Sequence, residues 1–474
     1  MKEFDAIIIG AGQAGPALAG RLTAAGMTVA FVERKLFGGT CVNTGCTPTK
    51  TMVASAYAAH LARRAADFGV LIDNPVRVDM KKVKARADAV VAESRTGLER
   101  SLREMRGCTV IMGHARFEGP HVVRVGEELL TAPRIFINVG ARASVPNIPG
   151  VHDVPFLNNR SMLELDRLPE HLIVVGGSYV GLEFAQMYRR FGAEVTVVEK
   201  SPHLIAREDE EVSEAIRDIL TSEGVNVRTS AECISLAPHK RGVQVGLMCT
   251  EGEPRSVGSD VLLAVGRQPN TDDLGLEAAG VETDARGYIK VDDGLATNVE
   301  GIWALGDCNG RGAFTHTAYN DFEIVAANLL DGERRRVSDR VTAYALYIDP
   351  PLGRAGLTER DARAAGRPLL VGQIPMSRVS RAVEKGETQG LMKVVIDAET
   401  RKILGAAILG TGGDEAIHGI LNVMNAGLTY DVLKKSMPIH PTVSEFIPVV
   451  LGEALTADDA EKKCGSPSVL SVAQ

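Results

Sequence analysis

Two stretches of the chain carry the same succession of signals, and that repetition limits the folds open to it. The first begins with Ala6-Ile7-Ile8-Ile9, a short β-branched run expected in a strand buried on both faces. Gly10-Ala11-Gly12-Gln13-Ala14-Gly15 follows at once, then an Ala- and Leu-rich stretch from Pro16 to Ala25 that reads as a helix. Val29-Ala30-Phe31-Val32 predicts a second strand, and Glu33 ends it. The second stretch runs Leu172-Ile173-Val174-Val175, Gly176-Gly177-Ser178-Tyr179-Val180-Gly181, a helix from Leu182 to about Phe191, then Val195-Thr196-Val197-Val198 and Glu199. In such a turn the first glycine permits the tight reversal and the second lets a pyrophosphate approach the backbone. The third lets helix and strand pack closely. Phosphate rests on the helix N-terminal amides, and the acid accepts from a ribose hydroxyl. Two such units predict an α/β chain with two Rossmann-like modules and two bound dinucleotides. Ser178, at the middle-glycine position, narrows the phosphate approach without closing it. The Glu199 carboxylate favours a free ribose 2′-hydroxyl, hence NADH over NADPH, with Lys200 and Arg207 each able to reach a 2′-phosphate instead.

The chain has 474 residues, enough for about three domains at ~100–200 residues each. The expected division is 1–150, 151–270, 271–337 and 338–474, with the third segment completing the first domain. From about Ser338 the pattern turns to alternating strands at Tyr344 to Ile348, Leu391 to Ile396 and Ile403 to Leu409, with helices at Ala416 to Asn425 and Tyr430 to Lys435. This part has no phosphate turn and reads as a separate α+β domain, suited to dimerisation. A net charge of −7 argues against wholesale nucleic-acid binding. No run of 18 or so apolar residues predicts a membrane span, and the start lacks a signal-peptide pattern, which points to the cytoplasm.

Seven cysteines are too few and too scattered for a disulfide framework in a reducing compartment, so a functional pair is the better expectation. Cys41 and Cys46 lie in Gly38-Gly39-Thr40-Cys41-Val42-Asn43-Thr44-Gly45-Cys46-Thr47-Pro48-Thr49-Lys50. A kinked turn, with freedom at Gly45 and a fixed φ at Pro48, brings the two sulfurs within bonding reach. Two buried cysteines, or half of a zinc site, are the alternatives at this point, although no second Cys/His pair at short spacing appears. Further on, Gly301-Ile302-Trp303-Ala304-Leu305-Gly306-Asp307 is a strand ending in an acid, either a helix cap or an acceptor for a ligand's hydroxyls. In His440-Pro441-Thr442-Val443-Ser444-Glu445 a carboxylate can orient one imidazole nitrogen and leave the other for proton transfer. Cys108, Cys233, Cys249 and Cys308 read as small apolar residues, and Cys464 stands in a Ser-containing tail.

With these pieces assembled, nearly the whole chain resembles the flavin-dependent pyridine nucleotide–disulfide oxidoreductases, the family of glutathione reductase, dihydrolipoamide dehydrogenase and mercuric reductase. Gly38–Lys50 is the most specific match; the paired turns, Gly306-Asp307 and His440–Glu445 follow in the family's order. The resemblance implies that Gly10, Gly12, Gly15 and Glu33 hold the ADP half of FAD, Ala115 lies at its adenine and Asp307 binds the ribityl chain. Lys50 would lie near the flavin and pair with Glu183. Gly176, Gly181, Glu199 and Gly266 would line the NAD(P)H site. Cys41 and Cys46 would be the redox disulfide, Cys46 on the flavin side and Cys41 exchanging with substrate. His440, oriented by Glu445 and contributed by the partner subunit of a homodimer, would be the acid/base, and its imidazolium would lower the thiolate pKa. No resident metal is implied. Ser178 and Gly412-Gly413-Asp414-Glu415 resemble mercuric reductases, but their vicinal cysteine tail is absent and their usual lack of the His-Glu dyad is not shared. His418 to Glu445 looks more like a related bacterial branch that reduces metal ions such as copper or defends against oxidants. The expected acceptor is therefore a small-molecule disulfide or a thiol-bound metal ion. Dihydrolipoamide dehydrogenase is the enzymatic alternative, and a non-catalytic flavin-binding redox sensor the alternative of another class.

Overall fold

The computed structural model describes residues 1–248 and 253–456. Within it the chain forms two compact units: 1–151, 155–168 and 262–340 make the first, and 152–154, 169–261 and 341 onward the second.

The first unit is built on a five-stranded parallel sheet in the order Ile302–Ala304, Ile135–Ile137, Ala6–Ile9, Val29–Glu33, Cys108–Met112. Ile7 pairs with Ala30 on one side and Ile135 on the other. A strand in that position has neighbours in the sheet on both edges and helices over its faces, which is why its residues are uniformly apolar and fully buried. One face packs on Leu18, Leu22, Phe322 and Val325, from the helices Ala14–Ala24 and Thr315–Leu330. A mainly antiparallel four-stranded sheet, Lys2–Glu3, Glu128–Thr131, Val122–Val125, Ala115–Gly119, supplies Phe117, Val123 and Leu130 to the core on the other side. The edge strand Cys108–Met112 joins the parallel sheet through Cys108, which pairs with Val29. The helix Met80–Glu104 buries only Met80, Ala87 and Leu102; Val83, Val90, Val91 and Leu98 are partly exposed.

The second unit repeats the motif. A four-stranded sheet runs Asn226–Arg228, Glu194–Val198, His171–Val175, Asp260–Leu263, and the helix Tyr179–Phe191 follows its glycine turn. The C-terminal part of the unit is a six-stranded sheet: Ala343–Leu346, Leu352–Gly356, Ile403–Leu409, Leu391–Asp397, Leu369–Pro375, Leu455–Thr456. The helix Gly413–Asn425 lays Ile417 and Ile420 against Ala406, Ile408 and Val394 of that sheet. The α/β class with two Rossmann-like modules and an α+β C-terminal part is the architecture found.

Candidate active site

The first glycine turn sits where the sequence places it, and its backbone shows why glycine is needed. Gly10 has φ +104°, and a Cβ there would lie 2.4 Å from the Asn138 carbonyl oxygen. At Gly15 a Cβ would lie 2.7 Å from the Gly10 carbonyl, so the helix could not seat against the strand. The helix Ala14–Ala24 has neither a side-chain N-cap bond nor an acid in its first turn. Its N-terminal amides are therefore offered to an external anion, as a dinucleotide pyrophosphate requires. Glu33 is buried; its Oε2 accepts from the Ala11 N–H (2.8 Å) and its Oε1 from the Lys35 N–H (2.7 Å). Each oxygen keeps a further lone pair for a ribose hydroxyl.

The second turn is a close copy. Glu199 Oε2 accepts from the Gly177 N–H (2.7 Å) and Oε1 from the Ser201 N–H (2.8 Å). A Cβ on Gly181 would lie 2.0 Å from the Gly176 carbonyl oxygen. Ser178 adopts an extended backbone (φ −115°) that any residue tolerates, and the helix after it again has no side-chain cap bond and no acid in its first turn. Arg207, one of the two cations able to reach a 2′-phosphate, instead lies over the rings of Tyr179 (5.2 Å) and Tyr344 (5.8 Å). Gly266 has φ +123° with open space where a Cβ would point. Glu183 is buried on the helix of this turn, and its Oε1 accepts from the Tyr347 N–H at 3.1 Å. It belongs to the second unit and Lys50 to the first.

Asp307 follows Gly306 (φ +73°) at the end of the edge strand of the first sheet. Burial pushes its carboxyl above the usual carboxylate range, against the opposing pull of Arg267, whose Nη2 lies 3.1 Å away. Two groups that sequence reasoning missed hold this turn. Asp321, on the helix Thr315–Leu330, accepts from the Gly306 N–H (2.8 Å) and from Asn309 Nδ2 (3.0 Å). Arg340 pairs with the same carboxylate and donates to Asn320 Oδ1 at 2.8 Å. Sequence reasoning also missed Asn138, which holds the first glycine turn: its Nδ2 donates to the Gly10 carbonyl at 3.1 Å. Ala115 is buried at the head of the strand Ala115–Gly119.

The cysteine segment differs from the single kinked turn expected. It forms two helices, Gly39–Thr44 and Cys46–Arg63, broken at Gly45, where a Cβ would lie 2.9 Å from the Thr40 carbonyl oxygen. Pro48 lies in the first turn of the second helix, where its missing N–H disturbs nothing. Cys41 and Cys46 are free thiols hydrogen-bonded to each other. That bond, then burial and the charge of Cys46, drive the Cys41 thiol far above its ordinary value, with Thr315 and Lys50 pulling the other way. The surroundings of Cys41 therefore favour its protonated form. Cys46 Sγ also lies 3.3 Å from Thr315 Oγ1.

His440 Nδ1 is 2.8 Å from Glu445 Oε2, with the imidazole 73% exposed and the carboxylate largely covered. The ring is held at one nitrogen and open at the other. Cys308 is fully buried, and burial pushes its thiol to about 12; Cys108, half-buried, is pushed to about 11. Cys249 and Cys464 lie outside the described residues, as does the side chain of Cys233. Among the described residues no group of three or more His, Cys, Asp or Glu is placed to hold a metal ion. None of the described helices is long and apolar enough to cross a membrane.

Two family models match the chain: pyridine nucleotide-disulphide oxidoreductase over residues 4–321, and the dimerisation domain of the same group over 342–450. The probable pyridine nucleotide-disulfide oxidoreductase RclA of Escherichia coli is 37% identical over 454 residues, covering 94% of this chain and 98% of that one. Dihydrolipoyl dehydrogenase of Thermus scotoductus is 34% identical (94% and 96% covered), and mercuric reductase of Bacillus cereus 33% (94% and 70%). A solved structure described as a Cu(II) complex of the HOCl-induced flavoprotein disulfide reductase RclA from Escherichia coli superposes with TM-score 0.86 at 34% identity, covering 95% and 99% of the two chains. Enzymes of this group are oxidoreductases that use FAD with NAD(P)H as electron donor. The glycine turns, the uncapped helix starts and the two strand-end carboxylates fit both dinucleotides. The chain belongs to the pyridine nucleotide-disulphide oxidoreductase family.

Proposed function

We propose that this protein is an NADH-driven reductase that delivers electrons through Cys41 and Cys46 to a thiol-bound or labile metal ion, with Cu(II) the first candidate. The observation that carries the reading is the hydrogen-bonded pair of Cys41 and Cys46 at a helix start. Bound FAD would supply the two-electron redox chemistry that links the nicotinamide to the sulfur pair. Gly10, Gly12, Gly15, Glu33, Ala115 and Asp307 would hold it, with Lys50 and Glu183 beside the ring. Gly176, Gly181, Glu199 and Gly266 would hold the NADH. The Glu199 carboxylate and the engagement of Arg207 with two tyrosines favour a 2′-hydroxyl over a 2′-phosphate.

With Cu(II), Cys41 loses its proton to solvent, the two sulfurs each give up one electron, two Cu(I) ions form and the Cys41–Cys46 bond closes. The RclA structure described as a Cu(II) complex supports this acceptor class, as do the relatives named mercuric reductase. With a disulfide substrate, Cys41 must first lose its proton and then attack one substrate sulfur. His440, steadied by Glu445 and supplied by the partner subunit, would accept that proton and return it to the departing thiolate. Cys46 then attacks Cys41 and releases the second thiol. Retention of the His440–Glu445 pair keeps a lipoamide-type disulfide as the second reading. The match of 342–450 to a dimerisation domain supports a homodimer, and Met437 and Ile439 are large apolar side chains left exposed beside His440. The absence of a signal-peptide pattern in the sequence supports a cytoplasmic location.

The test is steady-state turnover with NADH and NADPH against Cu(II), Hg(II) with excess thiol, lipoamide and oxidised glutathione. The reading requires Cu(II) or Hg(II) to give the highest kcat/KM, with NADH preferred. Lipoamide turnover far above every metal would replace it with the dehydrogenase reading.

A further inference from the structure

The loop that follows Glu199 folds over the second glycine turn and ends on a cation. Leu204 and Ile205 are buried, and the Ile205 N–H donates to the Gly177 carbonyl at 2.9 Å. Ile205 has φ +45°, rare for a β-branched residue, so the packing around it over-determines the backbone there. The next residues are fixed as firmly. Arg360 donates to the carbonyls of Ala206 (3.1 Å) and Arg207 (3.2 Å). Glu208 is buried, and Arg354 and the Tyr344 hydroxyl both donate to its carboxylate. Between these anchors the Arg207 side chain is exposed. It lies over Tyr179 (5.2 Å) and Tyr344 (5.8 Å), whose rings meet edge to face at 5.4 Å. Tyr179 is the first residue of the helix Tyr179–Phe191, whose uncapped N-terminal amides are offered to the dinucleotide. All of these residues lie in the same unit.

A guanidinium over an aromatic face engages the ring through its charge and keeps its N–H donors for another acceptor. Among the described residues, the Arg207 guanidinium pairs with no carboxylate and donates no hydrogen bond. We propose that Arg207 is a cofactor-binding residue of the NAD(P)H site, donating to the pyrophosphate of the nicotinamide dinucleotide, and that Tyr344 is the positioning residue that holds its guanidinium there. Neutral amides leave the two negative charges of a diphosphate uncompensated, and Arg207 supplies a full positive charge with paired donors. A side chain already stacked on two rings has little freedom left to lose when the anion arrives. This role differs from the 2′-phosphate contact that the sequence allows Arg207, and it treats NADH and NADPH alike. The proposal deepens the reading above and rests on the second module holding the nicotinamide dinucleotide.

The test is calorimetric titration of the oxidised, FAD-loaded protein with ADP-ribose, which carries the pyrophosphate and no nicotinamide, and with its 2′-phosphorylated form. Arg207→Gln should weaken both about tenfold, the scale of a hydrogen bond to a charged group, and should flatten the salt dependence of Kd. Arg207→Lys, which keeps the charge, should recover part of the loss. Tyr344→Leu should weaken ADP-ribose in the parent but add little once Arg207→Gln is present, a coupling that a general loosening of the fold would not give. An unchanged Kd in Arg207→Gln overturns the proposal. So does a loss confined to the 2′-phosphorylated compound, which would put Arg207 at the ribose. Additive losses from the two substitutions overturn the role given to Tyr344. A parent that binds neither compound overturns the nucleotide-site reading itself, and this proposal with it.

Discussion

Replacing Asp321 by Asn should loosen the flavin-side turn without changing its shape. The Asp321 carboxylate is 2% exposed and serves three donors: the Gly306 N–H, Asn309 Nδ2 and the Arg340 guanidinium. An asparagine has one oxygen, so its NH2 must face either the first two donors or Arg340. Arg340, itself 14% exposed, would lose its only anionic partner among the described residues. Breaking one side of a buried ion pair costs about 3–5 kcal/mol, and the remaining bond from Arg340 to Asn320 puts this case near the lower end. Unfolding can be followed by the chain's single tryptophan, Trp303, stacked on Phe136 at 5.0 Å in the strand that leads to Gly306. With a urea slope of about 3 kcal/mol/M for a unit of this size, the midpoint should fall by about 1 M at fixed excess FAD. Asp321→Asn/Arg340→Met should recover part of the loss, because a pair removed whole leaves no buried charge. A midpoint shift below about 0.3 M, or a double variant worse than the single, would refute the reasoning.

Three other outcomes follow from the same geometry. The bond from Cys46, the largest cause of the raised Cys41 pKa, disappears in Cys46→Ala. A lower pKa means more thiolate at a given pH, so Cys41 in pre-reduced protein should alkylate faster with iodoacetamide near pH 7.5 (on the order of tenfold for one unit). An unchanged or slower rate would mean that the two sulfurs do not share the proton as described. His440→Ala should lower lipoamide or glutathione-disulfide turnover by about 10²–10⁴-fold, the range for a positioned acid–base group, and Cu(II) turnover by much less. Equal losses would contradict the separate need of the disulfide route for a proton. Ile439→Asp, which puts a charge on an exposed apolar position beside His440, should shift the protein toward monomer in sedimentation velocity and lower disulfide turnover with it. A stable, fully active monomer would remove the proposed supply of His440 in trans.

The elements of the two dinucleotide modules were legible because each is coded locally. Four consecutive buried apolar residues, a glycine turn and an alanine-rich helix say the same thing at three levels, and Ala6–Ile9 and Ala14–Ala24 form where that pattern puts them. The cysteine segment announced itself by type and spacing, yet its break at Gly45 depends on where the Thr40 carbonyl ends up, which no pattern states. Glu33 and Glu199 were read only as ribose acceptors. Their bonds to Ala11 and Gly177 show a second task, holding the glycine turn itself, which appears only once the strand end and turn meet in space. Asp321, Arg340, Arg267 and Thr315 gave no local signal. Thr315 is 269 positions from Cys46, and an ordinary threonine at a helix start gives no sign of the sulfur beside it. Arg354, fully buried on Glu208 with Tyr344 bonded to the same carboxylate, was silent for the same reason.

The central claim is that electrons from NADH arrive at this sulfur pair with Cys46 as the charged member. Anaerobic stopped-flow mixing of the FAD-loaded protein with NADH measures it most directly. Wild type should develop long-wavelength thiolate–flavin absorbance together with two more titratable thiols per chain than the oxidised protein, and Cys46→Ser should lose the band. A wild type that shows no band, or a Cys46→Ser variant that keeps it, would contradict the account.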